Sequence, residues 1–229
     1  MLQIGMLVYP MMFDLDLIGP QTFFQRLGDA NVFHVGKSRA PVVSDLGVSY
    51  TPQQDFASCP RDLDILFVPG GLKGTIAAMR DDATLDFLAD RGSRAGYVTS
   101  VCTGSLLLGA AGLLNGYQAA GYWMVRDLLP LFGAEVVHQR VVIDRNRVTG
   151  AGVTAGLDFG LALAAALRGR ERAETLQLLV EYDPQPPFHA GAPETAPAPV
   201  VEHLRAMREA ELVAAREAVA AAVQRLKRP

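Results

Sequence analysis

Cys102 stands where two patterns meet. The run Tyr97-Val98-Thr99-Ser100-Val101 reads as a buried strand, and Thr103-Gly104-Ser105 opens an apolar helical stretch, so the thiol falls at a strand-to-helix turn. Such a turn lifts a side chain clear of the backbone, as a nucleophile elbow does for serine, and Gly104 and Ser105 leave room for it. Unpaired N–H groups and the positive end of a helix dipole favour thiolate there, so the expected chemistry is nucleophilic catalysis by a thiol that is also prone to oxidation. The other cysteine, Cys59 in Phe56-Ala57-Ser58-Cys59-Pro60, has no such setting and reads as structural.

Three further segments carry residue types that could serve that thiol. Val68-Pro69-Gly70-Gly71 ends a strand in paired glycines, whose backbone can approach a ligand closely. The N–H groups of Gly71 and Thr103 are the expected lining of an anion hole. Phe13-Asp14-Leu15-Asp16 follows the first strand, so either carboxylate could reach the same edge; the plainer role for both is to cap a helix. Thr149-Gly150-Ala151-Gly152-Val153-Thr154-Ala155-Gly156-Leu157-Asp158 is a glycine-rich turn before a helix. It lacks the order of a dinucleotide fingerprint and is expected to pack against the cysteine loop, with Asp158 holding the turn or the helix start. His34, His138, His189 and His203 have no metal-ligand spacing with each other or with cysteine, so no metal is expected, and without a dinucleotide fingerprint no organic cofactor is expected.

Placing these segments together requires strands that alternate with helices. Short apolar runs at Gln3–Tyr9, Asn31–Val35, Leu63–Val68, Tyr97–Val101, Ala134–Val137, Val141–Ile143 and Arg147–Thr149 predict buried, mostly parallel strands. Helical patterns at Gln21–Leu27, Ala83–Arg94, Thr103–Leu114, Trp123–Leu131, Ala155–Leu167 and Glu171–Tyr182 lie between or after them, which is α/β architecture. In a doubly wound sheet ligands sit outside the carboxyl ends of the strands, where Cys102, Gly71 and Asp16 all fall. Val42–Gln54, with Asp45-Leu46-Gly47 between two β-prone stretches, predicts an edge hairpin.

Residues 1–182 form the expected α/β domain. Residues 183–199 hold six prolines in seventeen positions and predict a wrapping loop. Residues 200–229 complete the same unit with one long amphipathic helix at Val200–Lys227, whose stripe of Leu204, Met207, Leu212, Ala215, Val219, Ala222 and Leu226 could pack on the parent domain or on a second subunit.

Composition narrows the function. The 229 residues carry 21 Lys+Arg against 24 Asp+Glu, and a net charge of −3 offers nothing to phosphate backbones, so no nucleic-acid partner is expected. No run approaches the ~18 unbroken apolar residues of a membrane span, and the N-terminus lacks a basic leader. Two cysteines are too few for a disulfide scaffold, which points to a reduced, cytoplasmic setting.

Taken together, these segments resemble the ThiJ/PfpI superfamily, whose flavodoxin-like domain carries a reactive cysteine at a strand-helix elbow. Within it, Leu15-Asp16-Leu17-Ile18-Gly19-Pro20, Pro69-Gly70-Gly71, Val101-Cys102-Thr103-Gly104-Ser105 and residues 149–158 are similar to the isocyanide hydratase branch, as are residues 179–188 and 191–198. The resemblance implies a doubly wound α/β fold, Cys102 as nucleophile and Asp16 as acid-base partner. It also implies hydration of a small-molecule isocyanide, with water as co-substrate, to an N-substituted formamide through a thioimidate. Gly70, Tyr122, Trp123, Val153 and Thr154 are the expected pocket or supporting residues, and the expected assembly is a homodimer. One position departs from the pattern: many relatives read Thr-His-Trp where this chain has Gly121-Tyr122-Trp123, so no histidine role carries over. A glyoxalase-like or amidase-like cysteine enzyme and a ligand-sensing regulatory domain are the alternatives. The latter fits less well, because a single terminal helix leaves no room for paired helix-turn-helix motifs.

Overall fold

A computed structural model describes residues 1–228; Pro229, the last residue of the expected C-terminal helix segment, lies outside it. The chain runs β1 (Leu2–Leu7), α1 (Asp14–Phe24), β2 (Ala30–Gly36), β3 (Val42–Val43), β4 (Ser49–Tyr50), β5 (Gln54–Asp55), β6 (Ile65–Val68), α2 (Leu72–Met79), α3 (Asp82–Arg94) and β7 (Tyr97–Val101). It continues through α4 (Gly104–Ala110), β8 (Gln118–Ala119), a 3-10 helix (Arg126–Phe132), β9 (Glu135–Val136), β10 (Val141–Asp144), β11 (Arg147–Gly150), α5 (Ala155–Arg168) and α6 (Arg170–Leu179). The chain ends in α7 (Ala198–Met207) and α8 (Glu209–Leu226).

Seven strands form one sheet in the order β10-β11-β7-β6-β1-β2-β5, parallel throughout except for the antiparallel β10–β11 pair. α1, α5 and α6 cover one face, while α2, α3, α4 and α8 cover the other. Burial on both faces explains why β6 is apolar throughout and shows no alternation. Strand order reverses between β1 and β6, and a doubly wound sheet opens its ligand crevice at such a switch point. The segments that follow β1, β6 and β7 therefore meet, and they carry Asp16 in the first turn of α1, Gly70 and Cys102.

Several elements differ from the pattern in sequence. α1 starts at Asp14 instead of Gln21, because Pro20 sits inside the helix at the cost of a single backbone hydrogen bond to the Asp16 carbonyl. α1 and α5 cross closely there: a Cβ on Gly156 would lie 3.0 Å from Pro20 Cδ. α2 went unread because Gly70, Gly71 and Gly74 mask it; Gly74 is needed where the helix passes the Pro10 carbonyl, 2.4 Å from where a Cβ would stand. The elbow helix α4 closes at Ala110, short of Leu114. Trp123–Leu131 is not an α-helix: Pro130 restricts the segment to a 3-10 helix that ends at Gly133 with φ 78°. The hairpin β3–β4 is a separate two-stranded sheet instead of an edge of the main one, tied over the carboxyl end of β1 by Met11 N–H to Val43 O (2.9 Å) and Asp45 N–H to Met12 O (3.0 Å).

The C-terminal segment is two helices, broken at Arg208 (φ −108°, ψ 11°). α8 buries Leu212, Ala215, Ala218, Val219 and Ala222 against α2 and α4 of its own domain, and Arg225 pairs with Asp82 and Asp86 of α3. Most of the stripe read from the sequence is therefore used within the chain, whereas α7 buries no residue. Among the described residues, no helix is long and apolar enough to cross a membrane.

Candidate active site

Cys102 adopts φ 60°, a conformation that side chains other than glycine's rarely take, so the elbow is strained. It is held from both sides. Cys102 N–H donates to Gly150 O (3.1 Å), while its carbonyl accepts from Ser105 Oγ (3.0 Å) and from Tyr122 N–H (3.3 Å). Gly104 lies so close to β6 that a Cβ would come within 2.4 Å of the Val68 carbonyl.

Gly70 is the meeting point of the site. A Cβ there would lie 2.6 Å from both Asp16 Oδ2 and Thr103 N, and 2.8 Å from Cys102 Cβ, so only glycine lets acid, thiol and elbow converge. Its N–H donates to Asp16 Oδ2 (2.9 Å). Asp16 Oδ1 is buried without a hydrogen-bond partner, and the carboxyl interacts with the Cys102 thiol. Asp14 turns the other way and accepts from Tyr50 Oη on the hairpin (2.6 Å). Of the two acidic residues in the first turn of α1, Asp16 is therefore the one at the thiol, and neither side chain caps the helix.

The electrostatics differ from the elbow expectation. Burial pushes the Asp16 carboxyl from 3.8 up to about 7, with Asp45 adding to the rise and the contacts to Cys102 and Gly70 N–H opposing it. Burial, and then the neighbouring Asp16, push the Cys102 thiol well above its ordinary value. The Thr103 N–H and, less strongly, the Thr103 side chain work against this without reversing it. The expected thiolate is thus a thiol at neutral pH, because desolvation outweighs the short α4 dipole.

Gly71 needs a correction. Its N–H already donates to Thr103 Oγ1 (2.9 Å), so it does not offer the pocket the donor expected of it; the Thr103 N–H remains. The thiol opens onto a cavity of about 270 Å³ whose lining includes the apolar Met11, Phe13, Leu72 and Val153 together with Gly71, Thr103 and Tyr122. Lys73, Asp45 and Arg208 also line it. Trp123 and Thr154 do not: Trp123 stacks under Arg205 (4.9 Å), and Thr154 Oγ1 accepts from Arg140 (3.0 Å). Asp158 binds Arg140 and accepts from Tyr182 Oη (3.0 Å). Lys73 hides in the unread α2 and Arg208 comes from a distant helix joint, so no local pattern marks either as a pocket residue. Among the described residues no three His, Cys, Asp or Glu side chains group as metal ligands would.

The DJ-1/PfpI family model matches residues 3–166. The chain belongs to the DJ-1/PfpI family. It is 49% identical over 204 residues to the isonitrile hydratase of Pseudomonas putida, an alignment that covers 89% of each chain. The crystal structure of a ThiJ/PfpI family protein from Pseudomonas syringae superposes with a TM-score of 0.93 at 53% identity, covering 95% of this chain and 90% of that one. The HTH-type transcriptional regulator GbdR of Pseudomonas aeruginosa is 33% identical over 140 residues, which is 60% of this chain and only 37% of the regulator. Arg208 lies outside residues 3–166, so the family's shared domain alone does not complete this pocket.

Proposed function

We propose that this protein hydrates isocyanides to N-substituted formamides by cysteine catalysis. The observation that carries the reading is the buried Asp16–Cys102 pair converging on Gly70 at a cavity sized for a small organic group. The extent of identity to the isonitrile hydratase supports it.

The pair shares protons. With Asp16 as carboxylate, the thiol passes its proton to Asp16 and the sulfur adds to the terminal isocyanide carbon. Asp16 then delivers that proton to the same carbon, and the product of this half-reaction is the thioimidate S–CH=N–R. The Asp16 carboxylate next takes a proton from water as the hydroxide adds to the thioimidate carbon, and it passes that proton to nitrogen. Collapse of the tetrahedral species breaks the C–S bond, moves the hydroxyl proton to sulfur through Asp16, and releases HC(=O)–NH–R. Sulfur, carboxylate and proton count all return to their starting state, so the cycle calls on a single carboxyl acting as base and acid in turn. The Thr103 N–H stabilises charge building at sulfur, and Tyr122, in the place of the relatives' histidine, serves as pocket wall.

We further propose a homodimer in the cytoplasm. The two unpaired cysteines support the compartment, and the exposed Leu15 and Ile18 on α1 and Val200, Leu204 and Met207 on α7 support self-association. The test of function is incubation with an aromatic isocyanide while formamide is followed. Formamide at a rate that vanishes in Cys102→Ala is the expected result; none from the wild type overturns the reading. Light scattering at micromolar concentration tests the assembly, and the mass of one chain overturns the dimer.

A further inference from the structure

A chain of buried hydroxyls runs from the end of β1 to the elbow, and every proton in it can be assigned. Tyr9 Oη lies 2.7 Å from Pro69 O, and a carbonyl only accepts, so the single Tyr9 hydroxyl proton is committed there. Thr75 Oγ1, 3.1 Å from Tyr9 Oη, must then be the donor to Tyr9. That commits the Thr75 proton, so Thr103 Oγ1, 2.7 Å away, must donate to Thr75. Thr103 Oγ1 in turn accepts from Gly71 N–H at 2.9 Å. Tyr9, Thr75 and Thr103 are 5%, 0% and 1% exposed, which leaves no bulk water to reverse the order. Burial also pushes the Tyr9 phenol well above its ordinary value, so it keeps its proton across the working range.

The far end of this chain lies beside the nucleophile: Thr103 follows Cys102, both line the same cavity, a Cβ on Gly70 would touch Thr103 N and Cys102 Cβ at 2.6 and 2.8 Å, and a Thr103 side-chain hydrogen bond lowers the thiol. We propose that Tyr9 is a positioning residue for the elbow. Its bond to Pro69 sets the direction of the whole chain, so that the Thr103 hydroxyl proton is drawn toward Thr75, in competition with the sulfur. The same bond anchors Pro69-Gly70-Gly71, whose next two N–H groups hold Asp16 and Thr103. Tyr9 thereby weakens the help the Thr103 hydroxyl can give a thiolate, and so favours the protonated thiol until Asp16 removes its proton. The proposal rests on Cys102 being the reacting thiol, whatever electrophile it attacks.

Removing the Tyr9 hydroxyl frees the Thr75 proton to turn toward Thr103, and the Thr103 proton to turn toward sulfur. A hydrogen bond to the charged form favours that form. The other titratable and charged groups facing the sulfur are Asp16 from α1, Tyr122 after β8, and Lys73, Asp45 and Arg208 lining the cavity, and all are retained in the variants below.

The experiment follows Cys102 alkylation by iodoacetamide against pH in the full chain, by peptide mass mapping, with near-UV circular dichroism to confirm folding. Tyr9→Phe should lower the alkylation midpoint by about one pH unit, which is about tenfold faster labelling at a fixed pH below the midpoint. Thr75→Val, which removes the acceptor of the Thr103 proton, should move it the same way, and the double variant no further than either single one. Thr75→Ser, which restores a hydroxyl, should return it to the wild-type value. A midpoint unmoved or raised in a folded Tyr9→Phe or Thr75→Val protein overturns the proposal, as does a shift that Thr75→Ser does not reverse. The readout needs no isocyanide, so absence of hydratase activity leaves this result intact, and failure here leaves the hydratase reading standing.

Discussion

The two cysteines invert a simple electrostatic expectation. Cys59, 3% exposed, has the Arg91 guanidinium beside it, a cation that opposes the rise caused by burial. Cys102, 5% exposed, has a carboxyl beside it, which adds to the rise. Judged by neighbouring charge alone, Cys59 is the better thiolate. Yet Arg91 also bonds the Phe56 and Cys59 carbonyls (3.2 and 3.1 Å), which fastens the loop in place, and Cys59 does not line the cavity of about 270 Å³. Cys102 faces that cavity, with a proton acceptor against the thiol. The difference teaches that the proposed nucleophile is set apart by an adjacent carboxyl and an open path, more than by a nearby positive charge.

The largest effect that would break this contrast is on turnover. Cys102→Ala should reduce isocyanide hydration to the uncatalysed rate, measured as formamide formed. Asp16→Asn keeps the shape and loses the proton exchange, so kcat should fall about 10²–10⁴-fold; full activity would remove Asp16 from the scheme. Under brief, substoichiometric iodoacetamide, mass mapping should find Cys102 labelled and Cys59 spared. Equal labelling would mean that access does not separate them.

The pH dependence sharpens the same point. Below about 7 the pair holds two protons and Asp16 is no base, so kcat/KM should fall as pH drops through that value, while the upper limb waits for the thiol, well above 9.0. Stability runs the other way. Because the folded pKa of Asp16 is raised, the stability it contributes is full below its unfolded value near 3.8 and is lost as pH rises through about 7. That rise corresponds to about 4 kcal/mol, so Asp16→Asn should unfold at a higher temperature than wild type at pH 8 and at a similar one at pH 4. A variant that is both inactive and more stable is what a strained functional carboxyl predicts. Smallest of all, Cys59→Ala should leave turnover unchanged.

The parallel core and the elbow were readable in the sequence because each is written locally: unbroken apolar runs such as Ile65–Val68, and a strand that stops at Cys102 before small residues. Asp16 was found by its place after β1, with family likeness separating it from Asp14; the separation itself comes from Tyr50, thirty-six residues from Asp14, which takes the other carboxyl. What stayed hidden depended on distance or on glycine. Periodicity does not show that α2 packs its Gly74 on the Pro10 carbonyl, that the terminal helix bends at Arg208, or that the Gly71 N–H is spoken for by Thr103. The thiolate expectation failed because a helix dipole is a local property, whereas the desolvation that opposes it belongs to the whole fold.

The bend at Arg208 has a consequence for how such a molecule diversifies. Thiol, acid and glycine floor all lie within residues 3–166, the stretch matched by the family, whereas one side of the pocket is supplied by a helix joint more than forty residues beyond that stretch. One residue of the pocket wall is therefore encoded on a length of chain apart from the thiol and its acid. Sequence drift at the tail can reshape that part of the wall while the Asp16–Cys102 pair stays in place.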